Sequence, residues 1–416
     1  MYIGIDDTDS RERYCTTYIG TLVVEELSET YKLDMPKLIR MNPMVKYKTR
    51  GNGGVSIRIV EKLNKKDIDY IKEIVIKYVE KYSDMNCENT NPGIVFLSEE
   101  DYKKNRGILT KYYKETLYNI LSVDYAKKIV NHIGGEYIQY KKGYGIIGAL
   151  GSIASTEPYT YELLTYRKKE NWGKKRVIDI NSVIEMDLKT IPFTFNNVDY
   201  KENKILISPN TKCPVLYGVR GIDVNILKDC LNMIRCNEEI DRYMIFKTNQ
   251  GTDVHLRYMK IKNIYSNTGV IVYGKVSKAP KNLTGGVVVF EVKDDTGSIP
   301  VVAYEPTKDF RNIIRELIEG DVVGIYGTVR ENPFGINIEK IKILSLSKKY
   351  IKNKKCECGG TLKSKGVKSG YVCNKCGKKI KYDDIELIEV SRNIKEGFYE
   401  VPPSARRHLS KPLILY

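Results

Sequence analysis

The sequence predicts a multidomain α/β plus β protein, and three observations predict it. Its 416 residues exceed what one ordinary domain holds. Over residues 1–255 short apolar strands alternate with amphipathic helices. After residue 265 the texture changes to five closely spaced strands, and a cysteine- and lysine-rich stretch follows. A hydrophobic content of 42% is enough to bury real cores, which excludes disorder. No apolar run approaches the ~18 residues of a membrane helix. The opening carries Asp6, Asp7 and Asp9 where a signal peptide is basic and then apolar, so the expected location is cytoplasmic, with no membrane partner.

The first strand, Tyr2 to Ile5, runs straight into Asp6-Asp7-Thr8-Asp9-Ser10, and strand ends are where open α/β sheets place ligands. Leu22, Val23, Leu27 and Tyr31 recur at helical spacing. Val55, Ile57 and Ile59 alternate as in a half-buried strand, and Ile68, Ile71, Val75, Val79 and Tyr82 mark one face of a second helix. Residues 91–96 read as a turn entering a strand and 101–133 as helical. Further strands are predicted over 161–166, 204–208 and 243–246, with a helix over 224–234. Strands beginning at Gly269, Gly286 and Ser298, a helix over 310–318, and strands from Gly320 and Gly335 follow the order of an OB-fold, whose helix falls between the third and fourth strands.

Charge and cysteines locate the partner and a metal. Lys+Arg total 69 and Asp+Glu 52, a net charge of +17 that points to a polyanion. Residues 345–416 hold 17 basic and 7 acidic side chains, so +10 of that excess sits in this last stretch. Within it, Cys356-Glu-Cys358 and Cys373-Asn-Lys-Cys376 have the spacing of a four-thiolate zinc knuckle, although the first pair is CxC rather than the commoner CxxC. The other five of the nine cysteines lack such spacing; Cys87, Cys230 and Cys236 read as buried or incidental thiols, while Cys15 stands beside Thr16 and Thr17.

Three further motifs carry chemistry. Asp6, Asp7 and Asp9 crowd carboxylates that repel one another unless a cation neutralises them, and hard oxygen ligands suit magnesium carried by nucleotide phosphates. Ser10, Thr16 and Thr17 supply hydroxyls nearby, and such a hydroxyl can accept a phosphoryl group. Lys48, Arg50, Gly51 and Asn52 form a basic, glycine-rich turn that can approach phosphates, though not in P-loop order; a plain hairpin is the alternative. Glycines 145, 148 and 151 fall at helical spacing and allow close packing. The segment with Arg406, Arg407, His408 and Lys411 reads either as an RNA-gripping tail or as a solvated terminus. His132 and His255 read as structural.

Together, Gly4-Ile-Asp-Asp-Thr-Asp-Ser, Cys15-Thr-Thr, Asn42-Pro43 through Asn52-Gly53, Tyr144-Gly-Ile-Ile-Gly-Ala-Leu-Gly, Cys213-Pro-Val-Leu-Tyr-Gly-Val-Arg-Gly, Thr248-Asn-Gln-Gly-Thr-Asp and Pro-Pro-Ser-Ala-Arg-Arg-His resemble the archaeal tRNA-isoleucine 2-agmatinylcytidine synthetase family. The resemblance spans the chain in order. It implies a kinase-like α/β domain over 1–135, a ferredoxin-like α+β domain over 136–256, an OB-fold over 265–345, a zinc ribbon over 346–390 and a basic tail over 391–416. It also implies an enzyme that uses ATP to attach agmatine to C2 of the wobble cytidine of isoleucine tRNA with a CAU anticodon. Asp6, Asp7 and Asp9 would then hold magnesium and ATP phosphates, and Thr16 matches the threonine that the family autophosphorylates. Lys48, Arg50, Gly51 and Asn52 would bind phosphate, and Arg406, Arg407, His408 and Lys411 the tRNA. The alternative, a non-catalytic single-strand-binding protein, leaves the first 255 residues and the acid cluster unexplained.

Overall fold

The computed structural model describes residues 1–416 except 47, 49, 50, 367 and 368. Its largest element is a nine-stranded sheet. From one edge it runs through Glu136–Gln139, Gly93–Leu97, Tyr2–Asp6, Gly53–Arg58, Lys37–Arg40, Ile240–Thr248, Thr160–Arg167 and Val215–Gly221 to Thr194–Phe195. Neighbours are antiparallel except at the middle, where Lys37–Arg40 and Ile240–Thr248 run parallel through the pairs Lys37↔Lys247 and Leu38↔Thr248. This short join divides the sheet into two halves, but Leu164, Tyr166 and Phe246 of the second half pack into the same core as Ile3 and Ile5 of the first. The strand Lys37–Arg40 is missed by hydropathy because two charged ends flank only two apolar residues, Leu38 and Ile39.

In the first half, Ile3 and Ile5 point to one face and Tyr2, Gly4 and Asp6 to the other, as the pleat requires. The first face is covered by Thr16–Ser28 and Lys65–Tyr82, whose Ile19, Val23, Leu27, Ile71, Val75 and Val79 are buried there. Asn64 starts the second of these helices with a capping box closed by Asp67. The opposite face takes Arg106–Tyr118, Val123–His132 and Gly145–Ala154. The region 101–133 is thus not one helix, because Asn105 and the capping Ser122 interrupt it. Glu136–Gln139, which a boundary at 135/136 assigns to the second unit, lies in this half of the sheet, paired with Gly93–Leu97.

The helix Gly145–Ala154 packs backbone on backbone. A Cβ at Gly4 would lie 2.2 Å from the Ala149 carbonyl oxygen, one at Gly54 2.6 Å from that of Gly148, and one at Gly148 1.8 Å from Asp6 Oδ2. The glycine spacing is therefore a packing device, and it presses the helix against the strand end that carries Asp6. Gly148→Ala should cost about 2–3 kcal/mol, the upper range for overpacking, and calorimetry should show a lowered Tm. A Tm equal to that of the parent would show that the helix has room the geometry denies it.

In the second half, Ile180–Thr190 and Val224–Met233 cover the strands with Val183, Met186, Leu227 and Cys230. The five barrel strands follow: Gly269–Asn282, Val288–Lys293, Ser298–Ala303, Val322–Arg330 and Gly335–Ser345. The first pairs with the fourth and the third with the fifth, so the barrel closes around Val270, Val272, Phe290, Val301, Ile325 and Ile341. Its helix, Phe310–Arg315, is shorter than the sequence reading because Asp321 accepts the Ile318 amide and the chain turns at Gly320. The chain then leaves along Lys349–Lys352, forms the ribbon strands Leu362–Ser364, Tyr371–Cys373 and Lys379–Ile380, and returns along Leu387–Val390. Gly397–Glu400 adds to the outer edge of the barrel beside Gly335–Ser345.

Candidate active site

A cavity of about 790 Å³ opens between the two halves of the large sheet. One wall is acidic. Asp6, 8% exposed, ends the first strand, and its Oδ1 accepts the Asp7 amide at 2.7 Å. Asp7 sits at φ +58 and accepts the Asn91 amide at 3.1 Å. Burial, outweighing the Asp7 amide, lifts the Asp6 carboxyl to about 7. Burial and then the charges of Asp6 and Asp9 lift Asp7 to about 9. At the floor, the helix Thr16–Ser28 begins with Thr16 and Thr17, and the Thr8 hydroxyl donates to that of Thr16 at 3.0 Å. The free amides and the dipole of this helix end suit an anion.

The facing wall is cationic and comes from four separate segments. Arg40 ends the strand Lys37–Arg40, Lys48 and Gly51 belong to the basic turn, and Arg220 projects from Val215–Gly221. Arg407 and His408 arrive from the far end of the chain. A Cβ at Gly51 would meet Arg40 Nη1 at 2.4 Å and His408 Nε2 at 3.5 Å, so these three groups converge on one spot. Asn52, at φ +49, instead ties down the turn, donating to the Asn42 carbonyl at 2.8 Å. Lys48 donates to the Pro43 carbonyl, and burial, then Arg407, lowers its ammonium below the usual lysine range. His408 is exposed to the cavity, and the protein atoms crowded around it, then Arg40, Arg220 and Lys48, hold its imidazole well below the usual histidine range. Glu162, 3% exposed, lines the same space and accepts from Arg220 at 3.0 Å and from Gln250 at 2.5 Å.

The structure thus brings Asp6, Asp7, Asp9, Thr16, Lys48, Gly51, Asn52, Arg407 and His408 to one cavity. Arg50 lies outside the described residues. The tail is neither a free arm nor a solvated end. Arg406 is held inside by Glu400 and Asn196, each at 2.6 Å, and the Lys411 amide is bonded to Asp253 at 2.8 Å while its ammonium lies over the Tyr416 ring. Sequence reasoning missed Arg40, Glu162 and Arg220. The available signal was a charge within an otherwise apolar strand, as with Glu162 beside Leu163 and Leu164.

Away from this cavity, the sulfurs of Cys356, Cys358, Cys373 and Cys376 lie within 4.8 Å of one another. Backbone amides of Cys376 and Lys375 favour the thiolate at Cys373, as a zinc ligand requires. Four converging sulfurs fit tetrahedral zinc, and the CxC pair does not prevent the convergence.

An acidic wall and a helix N-terminus facing a cationic wall, on a chain with an OB barrel and a zinc ribbon, define a phosphate-handling enzyme that works on nucleic acid. Family models match in sequence: the TiaS TCKD domain over 2–143, the TiaS FLD domain over 143–255, an OB-fold nucleic acid binding domain over 270–344 and the TiaS C-terminal zinc ribbon over 353–394. The chain belongs to the family of the isoleucine-tRNA 2-agmatinylcytidine synthetase TiaS: it is 65% identical to that enzyme from Methanocaldococcus jannaschii, covering 100% of this chain and 98% of the relative. A crystal structure of TiaS in complex with its isoleucine tRNA and ATP superposes with a TM-score of 0.89 at 38% identity, covering 100% of this chain and 97% of that one. A complex of TiaS with the same tRNA, AMPCPP and agmatine superposes with a TM-score of 0.85 at 36% identity, with the same coverage.

Proposed function

We propose that this enzyme uses ATP to conjugate agmatine to C2 of the wobble cytidine of an isoleucine tRNA, whose CAU anticodon then reads AUA instead of AUG. The related complexes with isoleucine tRNA, ATP and agmatine support the reaction. The observation that carries the assignment of residues is the single cavity in which Asp6, Asp7, Asp9 and Thr16 face Lys48, Arg407 and His408. Cytidine O2 is a poor leaving group. Phosphorylating it lets the agmatine amine add at C2; the C2–O bond then breaks, the oxygen departs with phosphate, and the nitrogen gives up a proton. ATP supplies one phosphoryl group to O2 and a second to Thr16, the protein's own acceptor, and leaves as AMP. Lys48 and Arg407, with Arg40 and Arg220, neutralise the phosphates, and neutral His408 adds a ring nitrogen without further charge. Outside the cavity, Lys411 and the ribbon lysines remain for the tRNA backbone.

Carboxylate oxygens are the donors magnesium prefers, and Asp6, Asp7 and Asp9 would hold it beside the triphosphate, where it would supply charge neutralisation. The raised carboxyls carry a signed prediction. A carboxyl whose folded pKa is raised stabilises the fold fully at acid pH and loses that contribution as pH rises through the folded value. Without divalent cations, Tm should therefore fall between about pH 5 and 9 as Asp6 and then Asp7 ionise, and magnesium should flatten the fall most at the alkaline end. Superimposable Tm–pH curves with and without magnesium would remove it from this wall. The function itself is tested by incubating the protein with ATP, agmatine and the tRNA, then measuring the mass of the wobble nucleoside. A gain equal to agmatine less water is expected; an unchanged mass overturns the reading.

A further inference from the structure

OB barrels ordinarily present nucleotides with the face of their second and third strands. Here that face carries Val289, Glu291 and Lys293 opposite Val302, Pro300 and Ser298, with no aromatic ring, and Glu291 is already paired with Lys278. The aromatic residues lie elsewhere on the barrel. Leu256–Tyr258 adds a parallel strand beside the first barrel strand, and Tyr258, 70% exposed, stacks on Tyr273 with centroids 5.8 Å apart and planes 13° from parallel. Tyr273 lies flat because its cross-strand neighbour is Gly324, where a Cβ would meet the ring at 2.6 Å. Its hydroxyl meets that of Tyr326 at 3.0 Å, and Tyr326 packs on Phe398 at 5.0 Å. A packed row of rings thus backs a platform whose outer member, Tyr258, is largely uncovered.

The surroundings are basic. Lys342 lies cross-strand from Gly324, and Lys275 is two residues beyond Tyr273 on the same face; both are exposed, and neither pairs with a carboxylate among the described residues. Exposed rings beside unpaired lysines suit a single-stranded nucleic acid, whose bases stack while its phosphates take the charge.

We propose that unpaired nucleotides of the tRNA dock on the Tyr258–Tyr273 platform, with Lys275 and Lys342 on the adjoining phosphates, so that the barrel binds RNA through its first and fourth strands. The inference rests on the function proposed above, which supplies the tRNA. Tyr258→Ala should weaken tRNA binding about 10- to 100-fold at fixed salt. Its dependence on salt should stay unchanged, because no phosphate contact is removed. Tyr258→Phe, which keeps the ring, should bind within about twofold of the parent. Lys342→Ala should weaken binding and lower the slope of log affinity against log salt by about 1. Because Tyr258 is mostly exposed, thermal unfolding of the alanine variant should match the parent. Unchanged affinity for Tyr258→Ala, or equal loss for the alanine and phenylalanine variants, overturns the platform. A parent protein that binds no tRNA would instead overturn the functional reading beneath it.

Discussion

Asp7→Asn should lower ATP consumption by about 10³-fold while leaving tRNA affinity within about twofold. Asparagine is the informative replacement because Asp7 occupies φ +58, a left-handed conformation that asparagine tolerates. Its amide oxygen can also keep the bond from the Asn91 amide. What disappears is the charge, and with it the attraction for the cation that accompanies the triphosphate. Removing a buried carboxyl that would otherwise have to ionise should raise stability slightly at alkaline pH, so a loss of activity cannot be put down to unfolding. Single-turnover measurement of AMP and phosphate release, beside a tRNA binding isotherm, separates the two effects. Consumption within tenfold of the parent would take Asp7 out of the proposed magnesium site.

The parts of this molecule that were legible in the sequence are those specified locally. The OB barrel could be read because turn residues bound each strand and the helix falls at its expected place. The zinc site could be read because metal geometry fixes ligand spacing over a few residues. Asp6, Asp7 and Asp9 stood out because three like charges at a strand end call for a cation. The cationic wall was not legible as a wall. Arg40, Lys48, Arg220 and Arg407 are scattered along the chain and converge only because Lys37–Arg40 pairs with Ile240–Thr248 and the last segment folds back. The tail illustrates the limit. Its charge suggested a partner outside the molecule, yet Arg406 is neutralised within it by Glu400, and His408 faces the cavity. Composition counts charges and does not show which way they point.

That fold-back also predicts how the barrel holds the catalytic cavity in shape. The amides of Gly251 and Asp253 donate to the carbonyls of His408 and Leu409 at 2.9 and 2.8 Å. Lys340, on the last barrel strand and fully buried, donates to both Asp253 oxygens at 2.7 and 2.8 Å, to the Ser410 hydroxyl at 3.1 Å and to the Lys411 carbonyl at 2.9 Å. Beside it, Glu339 approaches Arg407 at 3.2 Å and the buried His255 at 3.3 Å, and these contacts, with Lys340, outweigh burial to hold its carboxyl below the usual range. One barrel strand therefore fixes the segment that carries Arg407 and His408 into the cavity. Lys340→Met would fill the space but strand the Asp253 charge, which should cost about 3–5 kcal/mol and impair agmatine transfer far more than tRNA binding. Lys340→Met combined with Asp253→Asn removes the orphaned charge and should recover at least half of that stability, a non-additivity that only a direct pair produces. Activity should recover with it, because the asparagine can still accept from the Lys411 amide and hold the segment in place. Additive losses in the double variant would mean that the ion pair does not seat the segment, and that Arg407 and His408 are positioned by the backbone bonds to residues 251 and 253 alone.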